Sequence, residues 1–208
     1  MEIEMKYRIP DKETADEIWG DNCFKSLGEV SSINSKLMKA VYYDTDDMIL
    51  RKNDVAYRLR LEGDRVIATI KWGGTSENGK YAREELNVPV SGETCFMKPS
   101  LKVFEQDPKG HEFMELVDGK ELKSVVETNF LRRSLRLDTG DMICEVSIDT
   151  GQIITDKGTE PICEMEVELF SGRQDAIEAV GDRVAKRYGL ERGQKSKYAR
   201  GWDLLNNE

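Results

Sequence analysis

Histidine is almost missing from this chain of 208 residues: His111 is the only one, and it sits in a polar Pro-Lys-Gly-His stretch. A Ser-His-Asp triad and a His-based zinc site are therefore set aside, since both need converging imidazoles. Cysteine is scarce too. Cys23, Cys95, Cys144 and Cys163 have no metal-like spacing and read as ordinary reduced residues. No apolar run approaches the roughly 20 residues that span a bilayer, and the N-terminus lacks a signal-peptide pattern. The expectation is a soluble, cytoplasmic protein. No Pro/Gly/Ser-rich linker divides the sequence, so one domain over 1–208 is expected. The formal net charge of −9 argues against non-specific binding to nucleic acid or to an anionic membrane.

What the chain has in excess is charge. Charged residues make up 34% of it, above the typical quarter. They are arranged in alternation, and in a β-strand residues i, i+2 and i+4 share one face. Glu2, Glu4, Lys6 and Arg8 thus oppose Ile3, Met5 and Tyr7, while Glu164, Glu166 and Glu168 oppose Met165, Val167 and Leu169. Eight segments read as strands in this way, over 2–9, 37–44, 55–62, 65–73, 82–90, 127–137, 142–150 and 161–170. Gly63-Asp64 supplies a two-residue hairpin turn. Residues 73–80 read as a flexible loop, and Asp149-Thr150-Gly151 as the turn that ends the seventh strand. Helices are predicted over 11–27 behind an Asp11 cap, over 172–188 with Gly189 as C-terminal cap, and over 195–205. One or two helices are expected within 93–126, which either cover an entrance or pack on the sheet.

Placing the charged parity of every strand on a common side collects nine acids: Glu2, Glu4, Glu62, Glu85, Glu145, Asp149, Glu164, Glu166 and Glu168. Eight bases join them: Lys6, Arg8, Arg58, Arg60, Lys71, Arg83, Arg132 and Arg136. The apolar parity then faces outward. The predicted class is α+β, an eight-stranded antiparallel β-barrel with helices packed outside and a charged tunnel within. The plainer alternative is a solvated sheet face with surface ion pairs of little energetic weight.

A charged tunnel is costly without a ligand. Two carboxylates roughly 5 Å apart repel by about 3 kcal/mol at an effective dielectric near ~20. Clustered acids must take up protons, pair with cations or bind metal. An all-oxygen donor set favours hard divalent ions, so Mg²⁺ or Mn²⁺ fits. Arginine forks match phosphate oxygens. Metal and bases on one surface suit phosphoryl transfer to water, with a small polyphosphate as substrate.

On these residues the chain resembles the CYTH family, the triphosphate tunnel metalloenzymes. The family signature Glu-x-Glu-x-Lys stands at Glu2-Ile3-Glu4-Met5-Lys6. The likeness continues through Tyr42-Tyr43-Asp44-Thr45, Arg58-Leu59-Arg60, Thr69-Ile70-Lys71, Arg83-Glu84-Glu85 and Thr128-Asn129-Phe130-Leu131-Arg132. It runs on through the stretch from Glu160 to Gly172 and Ser196-Lys197-Tyr198-Ala199-Arg200-Gly201. Those last two stretches are most similar to bacterial inorganic triphosphatases. Many of these carry a further helical, histidine-rich domain, which is not expected in this chain.

The resemblance implies hydrolysis of inorganic triphosphate to pyrophosphate and phosphate. It implies metal ligation by Glu2, Glu4, Glu164, Glu166 and Glu168, and a catalytic set of Glu2, Glu4, Lys6, Glu166 and Glu168. Substrate would be gripped by Lys6, Arg8, Arg58, Arg60, Lys71, Arg83, Arg132 and Lys197, with Lys197 on a plug helix near 195–205. Glu62, Glu85, Glu145 and Asp149 would support these groups, and Arg136 would pair with an acid. For Lys197 the plain alternative is an exposed helix lysine. Competing functions are hydrolysis of thiamine triphosphate or a nucleoside triphosphate, cyclic AMP synthesis from ATP, and polyphosphate binding without turnover. Trp72 and Tyr81 are the aromatics nearest an organic group. A homodimer is allowed but specified by no residue.

Overall fold

The computed structural model describes residues 1–90 and 94–206; of Cys23 it describes the backbone only. The eight long strands are β1 (Glu2–Arg8), β2 (Asn34–Asp44), β3 (Val55–Glu62), β4 (Arg65–Glu77), β5 (Lys80–Pro89), β6 (Lys123–Asp138), β7 (Met142–Thr155) and β8 (Gly158–Gly172). They pair antiparallel in the order β5-β4-β3-β2-β6-β7-β8-β1, and β1 closes the ring on β5. A two-residue strand, β9 (Glu191–Arg192), pairs with β1 beyond that closure. The fold is the expected α+β barrel, with one short strand added.

Three local expectations are corrected. Residues 73–80 are not a loop: β4 continues through Glu77, and Asn78-Gly79, both at positive φ, turn directly into β5. This is the Asn-Gly hairpin turn that matches strand twist. Likewise Asp149-Thr150-Gly151 is no turn. β7 runs on to Thr155, and Gly151 lies where a Cβ would stand 2.2 Å from the Asn129 carbonyl oxygen on β6. That glycine serves close strand approach rather than chain reversal. Finally, 11–27 is two helices, α1 (Lys12–Gly20) and α2 (Asn22–Lys25). Gly20, Asp21 and Asn22 all favour caps over helix interiors, and Asp21 is extended, held 2.9 Å from Arg187 on α5 (Gln174–Tyr188). The Asp11 cap forms as expected, accepting from Thr14 N at 2.7 Å, and Gly189 caps α5 in the left-handed region.

Two of the three apolar cores lie outside the ring. Met5, Tyr7, Val146, Ile148, Met165 and Val167 pack under α1, α2 and α5 through Ile18, Phe24, Ile177 and Val180. On the far side Val41, Tyr43, Tyr57, Leu59 and Ile70 pack under α3 (Ile49–Lys52), a 3-10 turn at Leu101–Phe104 and α4 (Pro108–Val117). The described part of the 93–126 segment therefore packs on the barrel wall, with Leu101, Phe104, Phe113 and Val117 buried against it. A third cluster fills one end of the barrel from within. There Met38, Ala40, Val126, Phe130 and Ile153 meet Tyr198 and Trp202 of the last helix, α6 (Lys197–Asn206). Gly201 lets α6 seat, since a Cβ on it would lie 2.4 Å from Val126 Cγ1. Among the described residues no helix is long and apolar enough to cross a membrane. Cys95, Cys144 and Cys163 are free thiols, and the side chain of Cys23 lies outside the described residues.

Candidate active site

The ring encloses a chamber of about 270 Å³, stopped at one end by α6. Alternation delivers its lining strand by strand: Glu2, Glu4 and Lys6 from β1, Arg83 and Glu85 from β5, Lys71 from β4, Arg58, Arg60 and Glu62 from β3. Arg132 comes from β6, Glu145 from β7, Glu166 and Glu168 from β8, and Lys197 from α6. Asp149 and Glu164 lie behind Lys197, both buried and bonded to its ammonium. Two expected members do not join them. Arg8 is exposed and faces an outer groove with Glu160 and Glu191, because α6 ends the chamber at Lys6 and Arg200 takes the place beside Glu164, at 2.8 Å. Arg136 is exposed and outside the chamber lining.

The acids form two groups with opposite electrostatics. Asp149, Glu164 and Glu166 are buried, place carboxylate oxygens within 4.8 Å of one another, and could hold a metal ion. Their charge is met by side chains already present. Lys197 Nζ bonds all three, at 2.7 Å to Asp149 and 2.9 Å to Glu166. Arg132 forks onto Asp149 at 2.8 and 2.6 Å and also reaches Glu166. Lys6 bonds Glu166 and lies 2.9 Å from Glu4. Burial opposes ionisation of Glu166, but Lys197, Lys6 and Arg132 outweigh it and hold the carboxyl well below its usual range. The same acids hold Lys6 and Arg132 well above theirs, against burial.

Glu2, Glu4 and Glu168 form the second group, on neighbouring strands, with Glu4 directly opposite Glu168. Lys71 bonds Glu2 and lies 3.1 Å from Glu85. Glu168 has no ion-pair partner among the described residues. Burial, then the charges of Glu2 and Glu4, push its carboxyl up to about 7. An acid so raised is short of positive charge. Oxygen ligands alone suit a hard divalent ion, so this group fits a metal better than the triad that already encloses an ammonium.

The bases on β3 show the converse. Burial and the neighbouring Arg58 and Arg132 push the Arg60 guanidinium below its ordinary value, partly offset by its ion pair with Glu62. The Nε atoms of Arg58, Arg60 and Arg83 are buried without a hydrogen-bond partner among the described residues. Gly74 makes room for Arg83, since a Cβ there would stand 2.5 Å from Arg83 Cγ. Orphaned guanidinium donors on a cation-crowded wall are short of an anion.

Sequence reasoning set no role for Tyr42, which lines the chamber and accepts a 3.1 Å hydrogen bond from Arg58 Nη1. Its place on the inward parity of β2, two residues from Ala40, was the available clue. Trp72 turns outward onto Phe113, with ring centres 5.3 Å apart, whereas Tyr81 lines the chamber beside Lys6.

The CYTH domain profile matches residues 1–202. An inorganic triphosphatase of Haemophilus influenzae is 30% identical over 140 residues, which is 67% of this chain; the match spans 38% of the length of that protein. Among solved structures, a Hippeastrum adenylyl cyclase candidate with a dominant triphosphatase activity superposes with a TM-score of 0.71 at 16% identity, over 98% of this chain and 96% of its own. The RNA triphosphatase domain of the mimivirus mRNA capping enzyme gives 0.57 at 12% identity, over 90% and 89%. These two likenesses are of fold. With the profile covering nearly every residue of the ring and its plug, the chain belongs to the CYTH domain family.

Proposed function

We propose that the chain hydrolyses inorganic triphosphate to pyrophosphate and phosphate within this chamber, with Mg²⁺ or Mn²⁺. One observation carries the reading: among the described residues, one wall has guanidinium donors without partners and the other has Glu168 without an ion-pair partner beside Glu2 and Glu4. Only a ligand pair of opposite sign, a polyanion and a metal cation, relieves both. The Haemophilus influenzae relative supports triphosphate as the polyanion. So does size: about 270 Å³ lies at the lower edge of the ~300–1,000 Å³ usual for ligand sites.

Arg58, Arg60, Arg83 and Arg132 would bind non-bridging oxygens and neutralise the charge that develops on them. Lys6 bridges Glu4 and Glu166, Lys71 bridges Glu2 and Glu85, and both would fix the register of the phosphate chain. Lys197 and the plug close the inner end against bulk water. Glu2, Glu4 and Glu168 would hold the metal ion, which supplies Lewis acidity and a water of lowered pKa as nucleophile. Glu62, Glu85 and Glu145 would orient the bases beside them.

The test is phosphate release from inorganic triphosphate with and without Mg²⁺ or Mn²⁺, beside ATP, thiamine triphosphate and pyrophosphate. Metal-dependent release from triphosphate, with pyrophosphate left intact, is the expected result. Faster turnover of an organic substrate would replace the substrate. Tight binding without release from any of them would make the chain a polyphosphate binder.

A further inference from the structure

Tyr42 and Tyr43 are adjacent on β2, and their side chains take opposite sides of the barrel wall. The hydroxyl of Tyr43 donates to the Phe96 carbonyl at 2.8 Å in the outer core. Tyr7 donates to Asp182 at 2.8 Å and Tyr57 to the Ser100 carbonyl at 3.2 Å. Tyr42 differs. Its oxygen accepts from Arg58 Nη1, and among the described residues nothing accepts its hydrogen. Buried polar hydrogens are rarely left unspent in native structures.

The ring of Tyr42 is held in place. It stacks on Tyr198 of α6, with centroids 4.8 Å apart and planes 23° from parallel, and the Arg58 guanidinium carbon lies 5.9 Å from its centre. With Nη1 committed to Tyr42, Arg58 has a buried Nε without a hydrogen-bond partner among the described residues. An unspent hydroxyl hydrogen and an unspent guanidinium donor thus belong to one bonded pair. Such a pair matches two oxygens of one phosphoryl group.

We propose that Tyr42 is a substrate-binding residue, which fixes Arg58 through its hydroxyl oxygen and gives its hydroxyl hydrogen to a non-bridging oxygen of the bound polyphosphate. This deepens the triphosphatase reading and rests on it. Burial raises the Tyr42 hydroxyl, but Arg58, Lys71 and Lys197 more than offset this and leave it below the ordinary tyrosine value. A hydroxyl made more acidic is the better donor to an anionic oxygen. Tyr198 is the internal control. Its hydroxyl lies beside Trp202 and, among the described residues, has no acceptor for its hydrogen; burial pushes it up and no guanidinium bonds it.

The experiment compares wild type, Tyr42→Phe and Tyr198→Phe in two assays: triphosphate turnover with Mg²⁺, and calorimetric binding of triphosphate in chelator without metal. Phenylalanine keeps the stacked ring, so the fold is retained. A hydrogen bond to a charged group corresponds to a roughly 10- to 100-fold effect. Tyr42→Phe is expected to lose that much in kcat/KM and in metal-free affinity, mainly through KM, while Tyr198→Phe stays near wild type. In the wild type, triphosphate should also perturb the ultraviolet spectrum of tyrosine, a change that is smaller in Tyr42→Phe. Unchanged binding and kcat/KM in Tyr42→Phe, or an equal loss in Tyr198→Phe, overturns the assignment while the wild type still turns over triphosphate. A wild type that neither binds nor hydrolyses triphosphate overturns the function reading itself.

Discussion

Lys197 Nζ on α6 stands 2.7 Å from Asp149 Oδ2 on β7, and both side chains are nearly or wholly withdrawn from solvent. The bond ties the end of the chain to the barrel wall and places a fixed positive charge among three acids. Removing one partner of such a pair strands the other in low dielectric, a loss of about 3–5 kcal/mol. Lys197→Ala should therefore lower the unfolding free energy by about 3 kcal/mol in urea titrations. Millimolar Mn²⁺ should restore part of that loss, since the vacated triad then takes a divalent ion.

Glu168 sets a pH dependence opposite to that of Glu166. Its folded value of about 7 lies above the 4.5 of a free glutamate, so the folded state holds the proton more tightly. Stability from this source is complete below pH 4.5 and lost as pH rises towards 7. Glu166, held low, contributes above its unfolded value and loses its contribution only as pH falls through the depressed folded value. The metal-free protein should thus melt at lower temperature at pH 7 than at pH 5 in scanning calorimetry. Glu168→Gln should flatten that slope, and in the wild type metal affinity should rise across the same interval.

Glu4→Gln should leave the barrel folded and nearly abolish turnover. Glu4 lines the chamber rather than either outer core. Loss of a metal ligand removes several kcal/mol of charge stabilisation, about 100-fold or more in rate. Activity at saturating Mg²⁺ within threefold of wild type would count against a ligand role.

Gly201→Ala tests the seat of the plug. The added Cβ meets Val126 at 2.4 Å, and overpacking of this kind costs about 1–3 kcal/mol. α6 should lift from the barrel end, carrying Lys197 with it. The expected readouts are a red-shifted fluorescence from Trp202, now buried, and reduced hydrolysis.

Strand alternation made most of this architecture legible, because parity alone decides which side of a barrel wall a residue meets. Glu2, Glu4, Lys6, Arg58, Arg60 and Glu166 reach the chamber by that rule. It ran out where the strand outlasts the chamber: Arg8 has the right parity but lies beyond the point where α6 crosses. Gly73-Gly74 and Gly151 read as breaks because glycine frees the chain in most settings. Here Gly74 and Gly151 make space for a neighbour, Arg83 and β6 respectively. The division of the acids into a neutralised triad and a cation-deficient group was not readable at all. It depends on which lysine reaches which carboxylate, and Lys197 arrives from a helix 31 to 48 residues later in the chain than the acids it meets.

Placing two of the three cores outside the ring separates two kinds of selection. Two of the three apolar cores point away from the chamber, so charged lining residues outside the Lys197 network can be exchanged with little effect on collapse of the chain. The lining is then a replaceable cassette: new substrates can be accommodated by altering about a dozen inward positions while the outward ones keep the scaffold. Relatives that share this ring at 12–16% identity are what such a division of labour permits.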